Sequence, residues 1–121
     1  MSVPFFDSDI IADWLHGHLP ASAELSRYPQ HRISRICWTE IMARESMETR
    51  RNIQDLLRPF EVVELDARIS EAAADIHHRT KMPLTGAIIF ATAQVNGSIL
   101  VTRNINDFPA EMPGIRIPYV I

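Results

Sequence analysis

Between Met82 and Phe108 the chain passes from an almost wholly apolar helical pattern into a short apolar run and then a polar cluster. Ala87, Ile88, Ala91 and Val95 recur at helical spacing, and Ile89 and Phe90 widen that face until it nearly encircles the helix. Thr85 is the expected N-cap, and Gly97 stands where a left-handed C-terminal residue belongs. Ile99-Leu100-Val101 is too brief for a helix and reads as a buried strand. A buried helix that delivers a buried strand is the second half of a βαβ crossover, which commits the chain to a parallel sheet covered by helices. The strand empties into Thr102, Arg103, Asn104, Ile105, Asn106 and Asp107. That places polar groups at the carboxyl edge of the sheet, where open α/β folds build their sites.

The remaining segments supply matching units. Val3 to Phe6 is a first strand, with Pro4 tolerated at its beginning, and Ser8 to His16 is a helix presenting Ile10, Ile11, Trp14 and Leu15 on one side and ending near Gly17. Residues 18–31 are expected to be irregular, with Pro20 and Pro29 as breakers, or to hold a short helical turn from Ala21 to Tyr28. Arg32 to Ile36 alternates as a second strand, and Trp38 to about Arg58 is helical, with a break near Ser46 and a stop at Pro59. Glu61 to Leu65 is a third strand, and Asp66 caps a helix to about Arg79 with Ile69, Ala72, Ala73 and Ile76 facing inward. Ile115 to Val120 closes the chain as an edge strand, the position Pro118 demands. The expected fold is one domain over residues 1–121, an α/β/α sandwich around a mostly parallel sheet of four to five strands.

Composition removes several classes of function. Apolar residues make up 46% of the chain, too many for disorder. No apolar run approaches the roughly 18–20 residues of a membrane span, and no basic segment followed by an apolar one marks a secretory signal. The single cysteine, Cys37, cannot form an internal disulfide, and its apolar surroundings suit a small core residue in a reducing, cytoplasmic setting. Twelve Lys plus Arg against fifteen Asp plus Glu exclude a globally cationic surface for nucleic acid while leaving room for a local basic rim.

The acids fall into register with these elements. Asp7 ends the first strand and opens a helix, Glu40 lies in the first turns of the helix after the second strand, and Asp107 follows the fourth. Three carboxylates thus converge on one sheet edge, where helix N-termini ease their repulsion and a hard divalent cation would relieve it. Taken singly, each has an ordinary explanation as a cap, a first-turn acid or a turn residue. Their convergence favours a shared site.

Phe5-Phe6-Asp7-Ser8-Asp9-Ile10-Ile11-Ala12-Asp13-Trp14-Leu15, the Glu40 segment from Ile36 to Ile41, and Ala87 to Ala93 with Leu100 to Phe108 resemble the PIN-domain ribonucleases, and most nearly the VapC-type toxin of bacterial toxin–antitoxin pairs. The likeness runs in order through essentially the whole chain. It implies a metal-dependent endoribonuclease that cleaves single-stranded RNA, with Asp7, Glu40 and Asp107 at the acidic metal positions and Ser8 and Asn104 at supporting polar ones. It also implies Mg²⁺ or Mn²⁺ as cofactor, a homodimer, and a VapB-like antitoxin that blocks the site. Against the family pattern, Gly86 stands where an Asp is expected just before Ala87. Thr85 offers a hydroxyl without charge, and Asp9 is expected to belong to another loop, so the site should be short of one carboxylate and its activity weakened or lost.

Phosphodiester cleavage needs a water made nucleophilic near neutral pH and charge stabilisation at the phosphoryl oxygens, both of which divalent metals provide. Oxygen ligands suit Mg²⁺ or Mn²⁺, whereas zinc would call for His or Cys at definite spacing. His16 and His18 surround a helix end and His77 and His78 are adjacent on a helix, so neither pair converges and all four are expected at the surface. Arg103 is the cation expected to hold RNA phosphate, with Arg79 and Lys81 as further candidates and plain solvated charge as the alternative. Trp14 is expected in the core or a dimer interface rather than under an RNA base. Two other readings compete: a PIN-like protein without catalysis that sequesters an antitoxin or RNA, and a phosphoacceptor receiver domain. The receiver would want an Asp ending its middle strand and a Lys after a later one. Here Asp66 is a helix cap and Thr102 follows the fourth strand.

Overall fold

In the computed structural model, which describes residues 2–121, the first strand is only two residues long yet sits at the centre of the sheet. β1 (Phe5–Phe6) is followed by α1 (Ser8–Leu15), α2 (Leu19–Ser26), β2 (Arg32–Ser34), α3 (Arg35–Ala43), α4 (Met47–Leu57), β3 (Glu61–Val63), α5 (Ala67–Thr80), α6 (Leu84–Val95), β4 (Leu100–Val101) and β5 (Ile115–Arg116). The strand order is β3-β2-β1-β4-β5, and all four pairings are parallel. Helices cover the sheet in the expected α/β/α arrangement. Phe5, Phe6, Ile10, Ile11, Ile33, Leu100, Val101 and Phe108 are almost wholly buried, and each such side chain contributes about 1.5–3 kcal/mol of transfer free energy. Among the described residues, no helix is long and apolar enough to cross a membrane.

Local chemistry explains where the elements begin and end. Asp66 caps α5 through a 2.9 Å bond from the Ile69 amide, and Gly97 takes the left-handed conformation beyond α6 at φ 64°. Ser46 breaks the long helical segment by capping α4. Several boundaries differ from the sequence expectation; the first and third strands span only Phe5–Phe6 and Glu61–Val63, short of the expected Val3 to Phe6 and Glu61 to Leu65. The second strand stops at Ser34 rather than Ile36, because the Ser34 hydroxyl accepts from the Cys37 amide at 3.1 Å and starts α3 about one and a half turns ahead of Glu40. Residues 19–26 are a full helix. Pro20 lies in its first turn, where a missing N–H costs nothing, so it initiates rather than breaks. α6 is capped by Pro83, placing Thr85 inside the helix instead of at its cap. β5 is an edge strand, but it spans only Ile115–Arg116 rather than Ile115 to Val120, so Pro118 lies beyond it.

Since β1 lies between β2 and β4, the chain segments leaving these three strands emerge side by side at one edge. The order reverses between β1 and β4, the switch point at which open α/β sheets hold ligands.

Candidate active site

Asp7 is the first residue past β1 and the N-cap of α1. One carboxylate oxygen accepts from the Ser8 amide at 2.7 Å and lies 3.7 Å from the Cys37 thiol; the other accepts from the Thr102 hydroxyl at 2.7 Å. Only 5% of the residue is exposed. Burial pushes its carboxyl pKa upward, against the opposing effect of the Thr102, Ser8 and Cys37 donors. Glu40, on α3, takes a 3.0 Å hydrogen bond from the Ser8 hydroxyl. Asp7, Cys37 and Glu40 form a close group whose possible ligand atoms all lie within 4.8 Å of one another.

Asp107 reaches the same place from the loop after β4. Asn104 donates to its carboxylate at 3.0 Å and accepts from its amide at 3.3 Å, while the Asn104 amide donates to Thr102 at 3.1 Å. Asp107 and Asn104 line one cavity of about 220 Å³ together with Asp7, Ser8, Glu40 and Gly86. Asp107 stands outside the closest group formed by Asp7, Cys37 and Glu40.

Two participants were missed from the sequence. Asp9, expected in another loop, lines this same cavity from the first turn of α1. One of its oxygens faces the Thr102 hydroxyl at 3.4 Å and the Arg103 amide at 3.3 Å, and the other is buried without a hydrogen-bond partner. Burial, then the charge of Asp7, raises the Asp9 pKa to about 7. Thr102 joins the two acids and is itself wholly buried. Both roles depend on β4 lying beside β1, a pairing that no local pattern encodes; Asp9 does follow Asp7 at a spacing of two, the one available hint.

The donors suit a hard divalent cation: carboxylates on Asp7, Asp9, Glu40 and Asp107, an amide on Asn104, and a buried oxygen on Asp9 that lacks any partner. Cys37 adds no soft ligand to this set. Burial and the charges of Asp7 and Glu40 drive its thiol pKa well above the ordinary value, so it remains protonated as a core residue. Gly86 leaves a gap in the wall. A Cβ there would lie 3.7 Å from an Asp107 carboxylate oxygen and 3.4 Å from the Phe108 ring, ordinary contact distances.

Arg103, the expected phosphate contact, is held elsewhere. It binds Asp13 through Nε at 2.6 Å and Nη2 at 3.1 Å, and Tyr119 donates to the same carboxylate at 2.7 Å. Arg79 pairs with Asp75 at 2.9 Å. Among the described residues, Lys81 and Arg44 form no ion pair within 4 Å. His16, His77 and His78 are exposed as expected, whereas His18 is half-buried against Tyr119. Trp14 packs partly buried against the core beside Phe60.

Comparison with known proteins agrees with this architecture. The sequence profile of the PIN domain matches residues 5–110. A chain from a toxin–antitoxin complex of Klebsiella pneumoniae is 34% identical, with a TM-score of 0.91, 99% of this chain covered and 100% of the other. FitAcB from Neisseria gonorrhoeae (18% identity, TM-score 0.80, 96% and 98% covered) and DNA-bound VapBC from Salmonella typhimurium (22%, 0.71, 97% and 97%) share the fold. No curated protein matches the chain significantly. With a profile match over most of its length and a 34%-identical toxin–antitoxin relative covering all but a residue or so, the chain belongs to the PIN-domain family and resembles its VapC-type members.

Proposed function

We propose that this protein is a metal-dependent endoribonuclease toxin of the VapC type, cleaving single-stranded RNA in the cytoplasm, with activity weakened by Gly86. The observation that carries this reading is the cavity at the switch point of the sheet, into which Asp7, Glu40 and Asp107 bring three acids from distant parts of the chain. Asp7, Glu40 and Asp107 would hold Mg²⁺ or Mn²⁺, with Asp9 close by. When bound, the ion supplies a water acidic enough to attack near neutral pH and charge to offset that of the phosphoryl oxygens.

The chain's own groups set the ligands in advance. Thr102 and the Ser8 amide fix Asp7, the Ser8 hydroxyl orients Glu40, and Asn104 braces Asp107. Ligands held by packed neighbours need little reorganisation when charge develops. A VapB-like antitoxin is the expected partner, in keeping with the toxin–antitoxin complex to which the Klebsiella relative belongs. Exposed Met47 and Leu56 on α4 offer apolar surface for a homodimer.

Purified protein incubated with single-stranded RNA and Mn²⁺ should release fragments slowly. Asp7→Asn should abolish cleavage and Gly86→Asp should raise it by orders of magnitude. No cleavage by any of the three proteins would sink the nuclease reading. The Gly86 position also favours a second reading, a PIN fold that binds antitoxin or RNA without cutting. RNA binding with no cleavage even after Gly86→Asp would establish it.

A further inference from the structure

We propose that Arg44 and Lys81 mark the two ends of a track for the single-stranded RNA backbone, with the acidic cavity between them. This rests on the nuclease reading and adds the path of its substrate. Three concavities adjoin one another through shared lining residues. Arg44 and Glu45 line the first, of about 330 Å³; Arg44 is shared with the acidic cavity; and Pro83 and Asp107 are shared with a third, of about 390 Å³, that Lys81 lines. A strand crossing the acids passes one cation on each side.

Charge decides between the candidate cations. Arg103 and Arg79 already face the carboxylates of Asp13 and Asp75. Arg44 and Lys81 are exposed, and neither forms an ion pair among the described residues, Glu45 included. On a chain of net charge −3 with four acids lining the cleavage cavity, the strand's phosphates need local positive charge on both flanks. The backbone supplies an independent sign. Lys81 is the only described non-glycine residue with positive φ, at 62°, where it ends α5 with its amide bonded to the His77 carbonyl. Glycine is the easier residue there, so a lysine tolerated in that conformation points to a use for its ammonium group.

The test is fluorescence anisotropy of labelled single-stranded RNA in Mn²⁺ buffer, on a non-cleaving Asp7→Asn background, over about 50 to 200 mM KCl. Arg44→Ala and Lys81→Gly should each lower the slope of log affinity against log salt by about 0.7, and the pair by about 1.4. Arg103→Ala and the distant exposed Arg68→Ala should leave the slope unchanged. Lys81→Gly should also raise the melting temperature while weakening RNA, a split that a purely structural lysine would not produce. Slopes unaltered by Arg44→Ala and Lys81→Gly, or lowered equally by Arg68→Ala, would overturn the track. So would an equal loss on duplex DNA of the same length, which would mark general polyanion attraction. Where the parent protein still cleaves RNA in those cases, the nuclease reading stands and only the path is wrong. If the parent neither binds nor cleaves RNA, both fall together.

Discussion

Gly86→Asp is the most informative perturbation because its cost and its gain have different dependence on metal. Position 86 is the third residue of α6, so an acid there gains about 0.3–1 kcal/mol from the helix N-terminus, and losing glycine from the helix adds a few tenths more. The Cβ meets no obstacle, its nearest neighbour being Phe108 at 3.4 Å. The new carboxylate, however, lies beside Asp107, and two like charges about 5 Å apart repel by roughly 3 kcal/mol at an effective dielectric constant of 20. Without metal the variant should therefore be about 2 kcal/mol less stable, a fall in Tm of about 8 °C for a domain of this size. With Mn²⁺ the repulsion becomes attraction to a shared cation. Saturation at 100 times the Kd returns about 2.7 kcal/mol, which should bring the variant level with or above the parent. Calorimetric melts of parent and Gly86→Asp, each in EDTA and in excess Mn²⁺, measure the difference of differences. The parent, lacking this ligand, should respond little. Adding Asp7→Asn should erase the metal-dependent gain, because ligands of one ion do not act additively. Equal losses with and without Mn²⁺ would refute the reasoning, since the acids would then hold no ion in common.

Three further outcomes follow from contacts already described. The Asp9 pKa is raised to about 7, so the folded metal-free protein binds a proton more tightly than the unfolded chain, and its stability should fall as pH rises from about 4 to 7, with about 4 kcal/mol from Asp9 and a contribution of the same sign from the buried Asp7. Melts in EDTA should show this slope and Asp9→Asn should reduce it; an upward slope across that window would contradict the assignment. Thr102→Val removes the 2.7 Å donor to Asp7 and leaves a buried carboxylate oxygen without a partner, so chemical denaturation should show a loss of about 1–3 kcal/mol. Arg103→Ala should cost about 1–2 kcal/mol, because Asp13 is only 12% exposed and loses two hydrogen bonds, and the double change with Asp13→Ala should cost less than the sum of the singles.

The parts of the fold that were legible in the sequence are those written in local patterns. Apolar spacing from Ala87 to Val95, the Asp66 cap and the Gly97 stop depend on residues within a turn or two of one another, and the structure follows them. The junction at Ser34 misled because Arg32 to Ile36 alternates like a strand, while a single hydroxyl bonded to the Cys37 amide decides for helix. Pro20 misled because proline breaks or starts a helix according to position alone. In the site, Asp7, Glu40 and Asp107 could be placed by the strands that precede them. Asp9, Thr102 and the Asp13 partner of Arg103 could not, since each contact joins residues 90 or more positions apart.

The central position of β1 has a consequence for the order in which the molecule comes into being. Phe5 and Phe6 are synthesised some 95 residues before β4, their neighbour on one side. Until Leu100 and Val101 dock, Asp7 lacks its Thr102 donor and Asp107 has no loop to carry it. Long-range pairing of this kind is slow relative to local helix formation. A nascent chain arrested before residue 100 would therefore hold Asp7 and Glu40 with no completed cavity, so synthesis itself keeps the assembled acids from forming until β4 and the loop after it have been made.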